Sequence, residues 1–311
     1  MNMPQRLLGK TGLRVSALSL GTVALGVQYG IQSGHDKPAR EASIALLRTA
    51  YSAGINLFDT APNYGEAEDL LGAALHHESD ACFASKVSLP AEGVSFTAAE
   101  LAAALNASVD KSRAALRRDC IDILQVHNLS VSHAANPLIG EALQALKTAG
   151  KVRHLGASVY TEDEAMTAMH SGWVDVLQVA YNVLDQRMAM RVFEEAKQLN
   201  IGVLTRSAFL KGALTPRARQ LPDALAPLRH AVDTLAQAWD ISLEAMPHAA
   251  LAFCLGEARI SSVLIGPSNE DELMQALASL NAADAAAAHA VGIAHALNDA
   301  RLVDPRLWPL P

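Results

Sequence analysis

The feature that most constrains the fold is an alternation. A short apolar run is followed by a segment with helical spacing, about eight times over between residues 17 and 280. The runs are residues 17–20, 56–59, 81–87, 120–128, 152–160, 174–182, 202–212 and 261–269. None shows the in-out alternation of a half-exposed strand, so each reads as buried on both faces, the condition of parallel strands covered by helices. The helical segments between them are residues 39–54, 66–75, 96–118, 138–150, 161–172, 189–200, 227–239 with 242–255, and 270–280. Gly54 and Gly150 stand where helices stop, and Thr161 stands where one starts. Residues 21–38 read as a loop, and residues 6–16 as a hairpin turning at residues 9–12. An Ala-rich helix follows at 281–297.

Eight strand-helix units fit a closed (β/α)₈ barrel better than an open sheet. No Pro- or Ser-rich linker interrupts the 311 residues, so one domain over 1–311 is expected. The net charge of −7 speaks against nucleic acid as a partner, because phosphate binding needs a basic face. No apolar run of about 18 residues points to a membrane span, and the first ten residues lack the apolar centre of a signal peptide. Cys82, Cys120 and Cys254 are unclustered in apolar runs and read as reduced, buried thiols. A soluble cytoplasmic protein follows as the expectation, with its oligomeric state open. No metal site is expected: His76 and His77 end a helix with no third ligand nearby.

Barrels of this kind carry their chemistry at the carboxyl ends of the strands. The polar residues there are Asp59 with Tyr64, then Lys86, His127, Ser158, Gln178, and Arg206 with Ser207. Taken singly, each has an ordinary explanation: a turn cap, a packing tyrosine, a surface lysine, a core histidine. Four proton-handling groups at the ends of three consecutive strands point to proton chemistry. A phenol with a pKa near 10 is a weak acid at neutral pH. A neighbouring ammonium stabilises the phenolate, and Asp59 would keep Lys86 charged and aimed. His127 would orient a carbonyl oxygen. The set has neither a nucleophile nor a metal cage, and it suits proton donation to an oxygen that receives a hydride from elsewhere.

The opening GKTGLRVSALSLGT, the stretch FDTAPNYG, the strand ends ASKV and LQVHN, the GAS of the fifth run and SAFLKG of the seventh together resemble the aldo-keto reductases, from about Arg6 to Leu280. The resemblance implies a (β/α)₈ barrel binding NADP(H) or NAD(H) without a Rossmann motif, and no G-x-G-x-x-G occurs. It implies that Tyr64 is the general acid/base, with Lys86 and Asp59 tuning it and His127 orienting the carbonyl. Gly21, Thr22 and Asp59 would border the cofactor, Ser158 and Gln178 would hold its carboxamide, and Arg206 would stand at the nicotinamide. Ser207, Phe209, Leu210 and Gly212 would line the pyrophosphate path, with Gly266, Ser268 and Gln275 towards the adenosine.

Three positions depart from the family pattern. Val159 replaces an Asn that contacts the carboxamide. Arg206 replaces a stacking aromatic; its charge disfavours an oxidised nicotinamide and suits an anionic substrate. Ser268 replaces a basic residue for a 2′-phosphate, and Glu270, Asp271 and Glu272 follow it. NADP(H) leads on the family's habit alone, with NAD(H) open. The expected activity is hydride transfer between NAD(P)(H) and an aldehyde or ketone, or the corresponding alcohol or sugar lactol. Arg206 and Val159 motivate a second reading, a redox-sensing subunit with weak catalysis. A third is a cofactor-free lyase or isomerase working through Tyr64 and Lys86. Pocket-forming loops contribute His35, Asp36, Arg206 and Lys211, which suggests a polar, sugar-like or carboxylated carbonyl. Residues 302–311 are candidates for the substrate mouth.

Overall fold

The computed structural model describes residues 3–28, 37–297 and 299–308. The expectations on His35 and Asp36, and on the last three residues of the tail, lie outside them. A hairpin of β1 (Gln5–Leu7) and β2 (Arg14–Ser16) precedes a closed parallel barrel. The barrel is formed by β3 (Leu18–Gly21), β4 (Leu57–Asp59), β5 (Cys82–Val87), β6 (Ile121–Val126), β7 (Val152–Ser158), β8 (Val176–Ala180), β9 (Gly202–Arg206) and β10 (Ser262–Ile265), each paired with the next and β10 with β3. The eight-fold alternation thus closes on itself, as expected.

Successive residues of a strand point to opposite faces, so each strand sends every second side chain inward. Leu57, Ala84, Ile123, Val176, Leu204 and Leu264 form an apolar plug inside the barrel with Leu8 and Val15 of the hairpin. One step further along the same faces come Asp59, Lys86, Gln125 and Gln178, all buried. The polarity changes at one level of the barrel, and that level begins the site. The hairpin stops the opposite end. Leu8 is wholly buried, and a Cβ on Gly202 would come within 2.5 Å of its side chain, so only glycine fits beneath it.

Most helices lie where helical spacing put them, including Arg40–Ser52, Ala98–Leu116, Pro137–Thr148 and Glu162–His170. Three details differ. Residues 21–38 were expected to be loop throughout, yet Val23–Gly26 form one helical turn; four residues are too few for periodicity to register. Val131–Ala134 form another such turn, started by the Ser130 side chain. The helix expected from 242 begins at Met246, where Pro247 takes an early position that needs no N–H bond. Of the cysteines, Cys82 and Cys254 are buried, whereas Cys120 is only half-buried because it lies just before β6 begins.

Candidate active site

The centre of the site is one carboxylate with its oxygens fully engaged. Asp59, ending β4, accepts from Lys86 Nζ on Oδ1 at 2.5 Å. Its Oδ2 accepts from Gln125 Nε2 at 3.0 Å and Gln178 Nε2 at 2.8 Å. Lys86 Nζ donates a second bond to the Thr60 carbonyl at 3.0 Å and is 1% exposed. Thr22 donates to the Asp59 carbonyl from both its N–H and its hydroxyl, which ties β3 to β4 at this level.

Tyr64 and His127 stand above this layer and are half-buried. The Lys86 ammonium lies 5.0 Å from the centroid of the Tyr64 ring, and the Tyr64 and His127 rings meet edge to face at 6.1 Å. The loop bearing Tyr64 is set by a close backbone approach. A Cβ on Gly26 would fall 1.7 Å from the Tyr64 carbonyl oxygen, and one on Gly65, at φ +59°, would fall 2.4 Å from the Gly26 oxygen. The backbone also turns through the left-handed region immediately after His127, at Asn128 (φ 55°), and after Arg206, at Ser207 (φ 65°). Both strands therefore end in a sharp turn just as they deliver a polar side chain.

Burial lowers the Lys86 pKa, and the Asp59 carboxylate opposes that shift by charge and hydrogen bond. Burial, reinforced by the Lys86 ammonium, lowers the pKa of His127 to about 4, so its imidazole is neutral at physiological pH. A neutral imidazole still has one N–H to offer an oxygen.

Asp59, Tyr64, Lys86 and His127 are thus brought together, and Gln178 joins them through Asp59. Ser158, at the end of β7, is buried beside Gln178 in the sheet register. Arg206 donates to the Val159 carbonyl at 3.1 Å and to Ser207 Oγ at 3.5 Å, and it sits over the Tyr160 ring at 4.2 Å. Two of the three departures from the family pattern, Val159 and Arg206, are therefore in direct contact. Ser207, Phe209, Leu210 and Gly212 follow in a tight loop with positive φ at Ser207, Leu210, Lys211 and Gly212. Asn182 anchors that loop by donating to the Ser207 carbonyl. At the mouth of β10, Gly266 is exposed, and Glu272 accepts from both the N–H and the hydroxyl of Ser268, at 2.8 and 3.0 Å. Gln275 is an exposed residue of the helix that follows.

A cavity of about 380 Å³ opens beside this centre, lined among others by His127, Asn128, Ser88, Tyr160, Glu164 and Arg306. Sequence reasoning missed Gln125, Asn182 and Tyr160, and it reached Arg306 only as part of a tail. Gln125 was legible: it stands two residues before His127 and shares its face of the strand. Arg306 had no such signal, because it arrives from the far end of the chain.

The open end of the barrel offers polar groups and bare backbone of the kind a dinucleotide uses: Ser158 ends β7, Ser207 follows β9, and Gly21 and Gly266 adjoin each other where β3 meets β10; a Cβ on Gly266 would meet only the Gly21 oxygen, at 3.9 Å. Among the described residues, no helix is long and apolar enough to cross a membrane.

The family model for the aldo/keto reductase family matches residues 17–289. L-galactose dehydrogenase of Arabidopsis thaliana is 30% identical over 290 residues, covering 88% of this chain and 87% of its own. The NADH-specific methylglyoxal reductase of Escherichia coli K12 is 28% identical, covering 88% and 92%. An aldo-keto reductase structure from Bacillus halodurans superposes with a TM-score of 0.76 over 96% of this chain and all of that one, at 22% identity, a likeness of fold.

Proposed function

The chain belongs to the aldo/keto reductase family, oxidoreductases acting on carbonyls and alcohols, and from that premise we propose that Tyr64 is its general acid/base in hydride exchange between NAD(H) and a small polar aldehyde, ketone or lactol. The observation that carries this is the Tyr64 ring held 5.0 Å from an ammonium that is itself locked to Asp59. Bound nicotinamide supplies or takes the hydride. The residues of the chain manage the proton and the oxygen. Lys86 stabilises the phenolate form of Tyr64, which makes the phenol a better donor at neutral pH. In reduction Tyr64 gives its hydroxyl proton to the substrate oxygen; in oxidation it takes that proton back. Neutral His127 donates a hydrogen bond to the same oxygen without adding a third positive charge beside Lys86 and Arg206. Ser158 and Gln178 would hold the carboxamide, and Gly21, Thr22, Ser207, Phe209, Leu210 and Gly212 would border the cofactor.

Our reading of the cofactor is NAD(H), although NADP(H) is the family's commoner habit. Glu272 already occupies the Ser268 donors, and no Lys or Arg occurs between residues 266 and 278. A carboxylate at that position repels a 2′-phosphate and suits a free ribose hydroxyl. The name of the Escherichia coli relative points the same way. Quenching of tryptophan fluorescence by NADH and NADPH tests this directly: tighter binding of NADPH would sink it. The mixed donors and acceptors at the mouth, and relatives named for L-galactose and D-threo-aldose, support a polar substrate.

Tyr64→Phe tests the catalytic assignment. Turnover of any accepted carbonyl should fall by roughly 10²–10⁴, with NADH affinity nearly unchanged. Retained turnover would remove Tyr64 from the mechanism.

A further inference from the structure

We infer that Arg206 is an anion anchor in the active site and that the substrate it selects carries a carboxylate near its reacting carbon. This inference rests on the reductase reading, but its test is arranged so that either can fail alone.

The charged side chains facing into the site do not all pair off; Glu68, which also acts on Lys86 by charge, accepts from Ser85 on the outer face of β5, and burial raises its pKa. Lys86 and Asp59 form a close pair, and His127 is neutral near pH 7. Arg206 adds a third charge at the same level of the barrel, close enough to hold down the pKa of both Lys86 and His127. Its fixed contacts are all to neutral groups: the Val159 carbonyl, the Ser207 hydroxyl and the Tyr160 ring. Among the described residues, no carboxylate lies within ion-pair distance of it. A guanidinium has five N–H donors, and these contacts take two of them. Half-buried and stacked on the Tyr160 ring, which does line the cavity, such a group suits a planar anion.

The carboxylates and the guanidinium that line the cavity, Glu92, Glu164 and Arg306, are already committed. Glu164 accepts from the backbone N–H of Tyr160 and Thr161, and Glu92 accepts from Ser132. Arg306, the second guanidinium on the Tyr160 ring, is tied to buried Asp304 at 2.5 Å. That contrast singles out Arg206. Its guanidinium is also held in place before any ligand arrives, by the carbonyl on one side and the ring on the other, so little ordering cost attaches to binding. Two sources of anionic oxygen are conceivable here, the substrate and the diphosphate of the cofactor. The substrate is favoured because Arg206 acts electrostatically on His127 and Lys86, the groups that handle the substrate oxygen.

The test is calorimetric titration of the enzyme–NADH complex with product-like alcohols in charged and neutral pairs: glycolate against glycolamide, 4-hydroxybutyrate against 4-hydroxybutyramide, and 4-(hydroxymethyl)benzoate against 4-(hydroxymethyl)benzamide. At one length or more the carboxylate should bind about 10–100-fold more tightly, the range of a charge-assisted hydrogen bond. Arg206→Gln should erase that ratio, and Arg206→Lys should restore part of it. Equal affinity within every pair in the wild-type protein overturns the inference, whether or not the variants fold. A variant that loses NADH affinity while keeping the carboxylate preference also overturns it and assigns Arg206 to the diphosphate. Selective carboxylate binding without turnover of the matching aldehydes would leave the anion site standing and sink the reductase reading.

Discussion

Burial of the His127 imidazole, with the Lys86 ammonium beside it, holds its pKa at about 4 against an ordinary 6.5. The unfolded chain therefore takes up a proton near 6.5 that the folded chain refuses until about 4. The stability associated with neutral His127 is present above that window and is lost as the pH falls through it. Urea midpoints at pH 7.5 and 4.5 should differ more for the wild-type protein than for His127→Gln; an equal difference would mean the ring titrates normally in the fold. The same residue shows what sequence can and cannot disclose. Its place at the end of a strand was legible from the pattern. Its protonation state was not, because that depends on how many non-neighbouring groups surround it. Gln125 and Gln178 make a similar point: only Gln178 stood out at a strand end in the sequence, and the convergence of both on one oxygen of Asp59 spans strands far apart in the chain.

Single elements carry more than one duty. Thr161 and Glu164 form a capping box at the start of Glu162–His170, and the same Glu164 carboxylate also accepts the Tyr160 N–H, fixing the backbone that presents the Tyr160 ring to the mouth. The four-residue turn Val23–Gly26 has a stricter role, since its Gly26 lies directly against the Tyr64 carbonyl. An added methyl group there meets backbone, which cannot move aside as a flexible side chain can. Gly26→Ala should therefore cost about 1–3 kcal/mol in stability and displace the Tyr64 loop, lowering kcat at least tenfold. A crystal structure of the variant with an unmoved Tyr64, or unchanged kcat, would contradict this. That turn was read as loop because its signal is a distance between segments, not a periodicity.

At the scale of the whole molecule, the barrel separates stability from chemistry along its axis. The apolar layer around Leu57, Ile123, Val176 and Leu204 is stoppered by Leu8 from the hairpin, while the polar layer opens on the other side. Leu8→Ala leaves a cavity at the closed end and should cost about 2–5 kcal/mol, read as a shift of the denaturant midpoint. Because the lost contacts lie at the opposite end of the barrel from Asp59, NADH affinity should stay within about twofold at temperatures where the variant is folded. A large loss of affinity would show that the two layers are coupled.

The sequence by itself determined the number of strand-helix units and their order, and it placed the polar residues at or within a few residues of the strand ends, because periodicity and polarity are local properties that neighbouring residues express together. It also showed the family through ordered motifs, and with it the candidates Asp59, Tyr64, Lys86 and His127. Only the tertiary structure decided that Arg206 has neutral company, that Arg306 from the C-terminal segment shares the Tyr160 ring with it, and that Glu272 holds the Ser268 donors. The first two bring together segments 46 to 146 positions apart. The third turns on which side-chain atoms a helix brings back onto its own loop. Charge balance and hydrogen-bond satisfaction are sums over everything within a few ångströms, and closure of the barrel is what defines that neighbourhood.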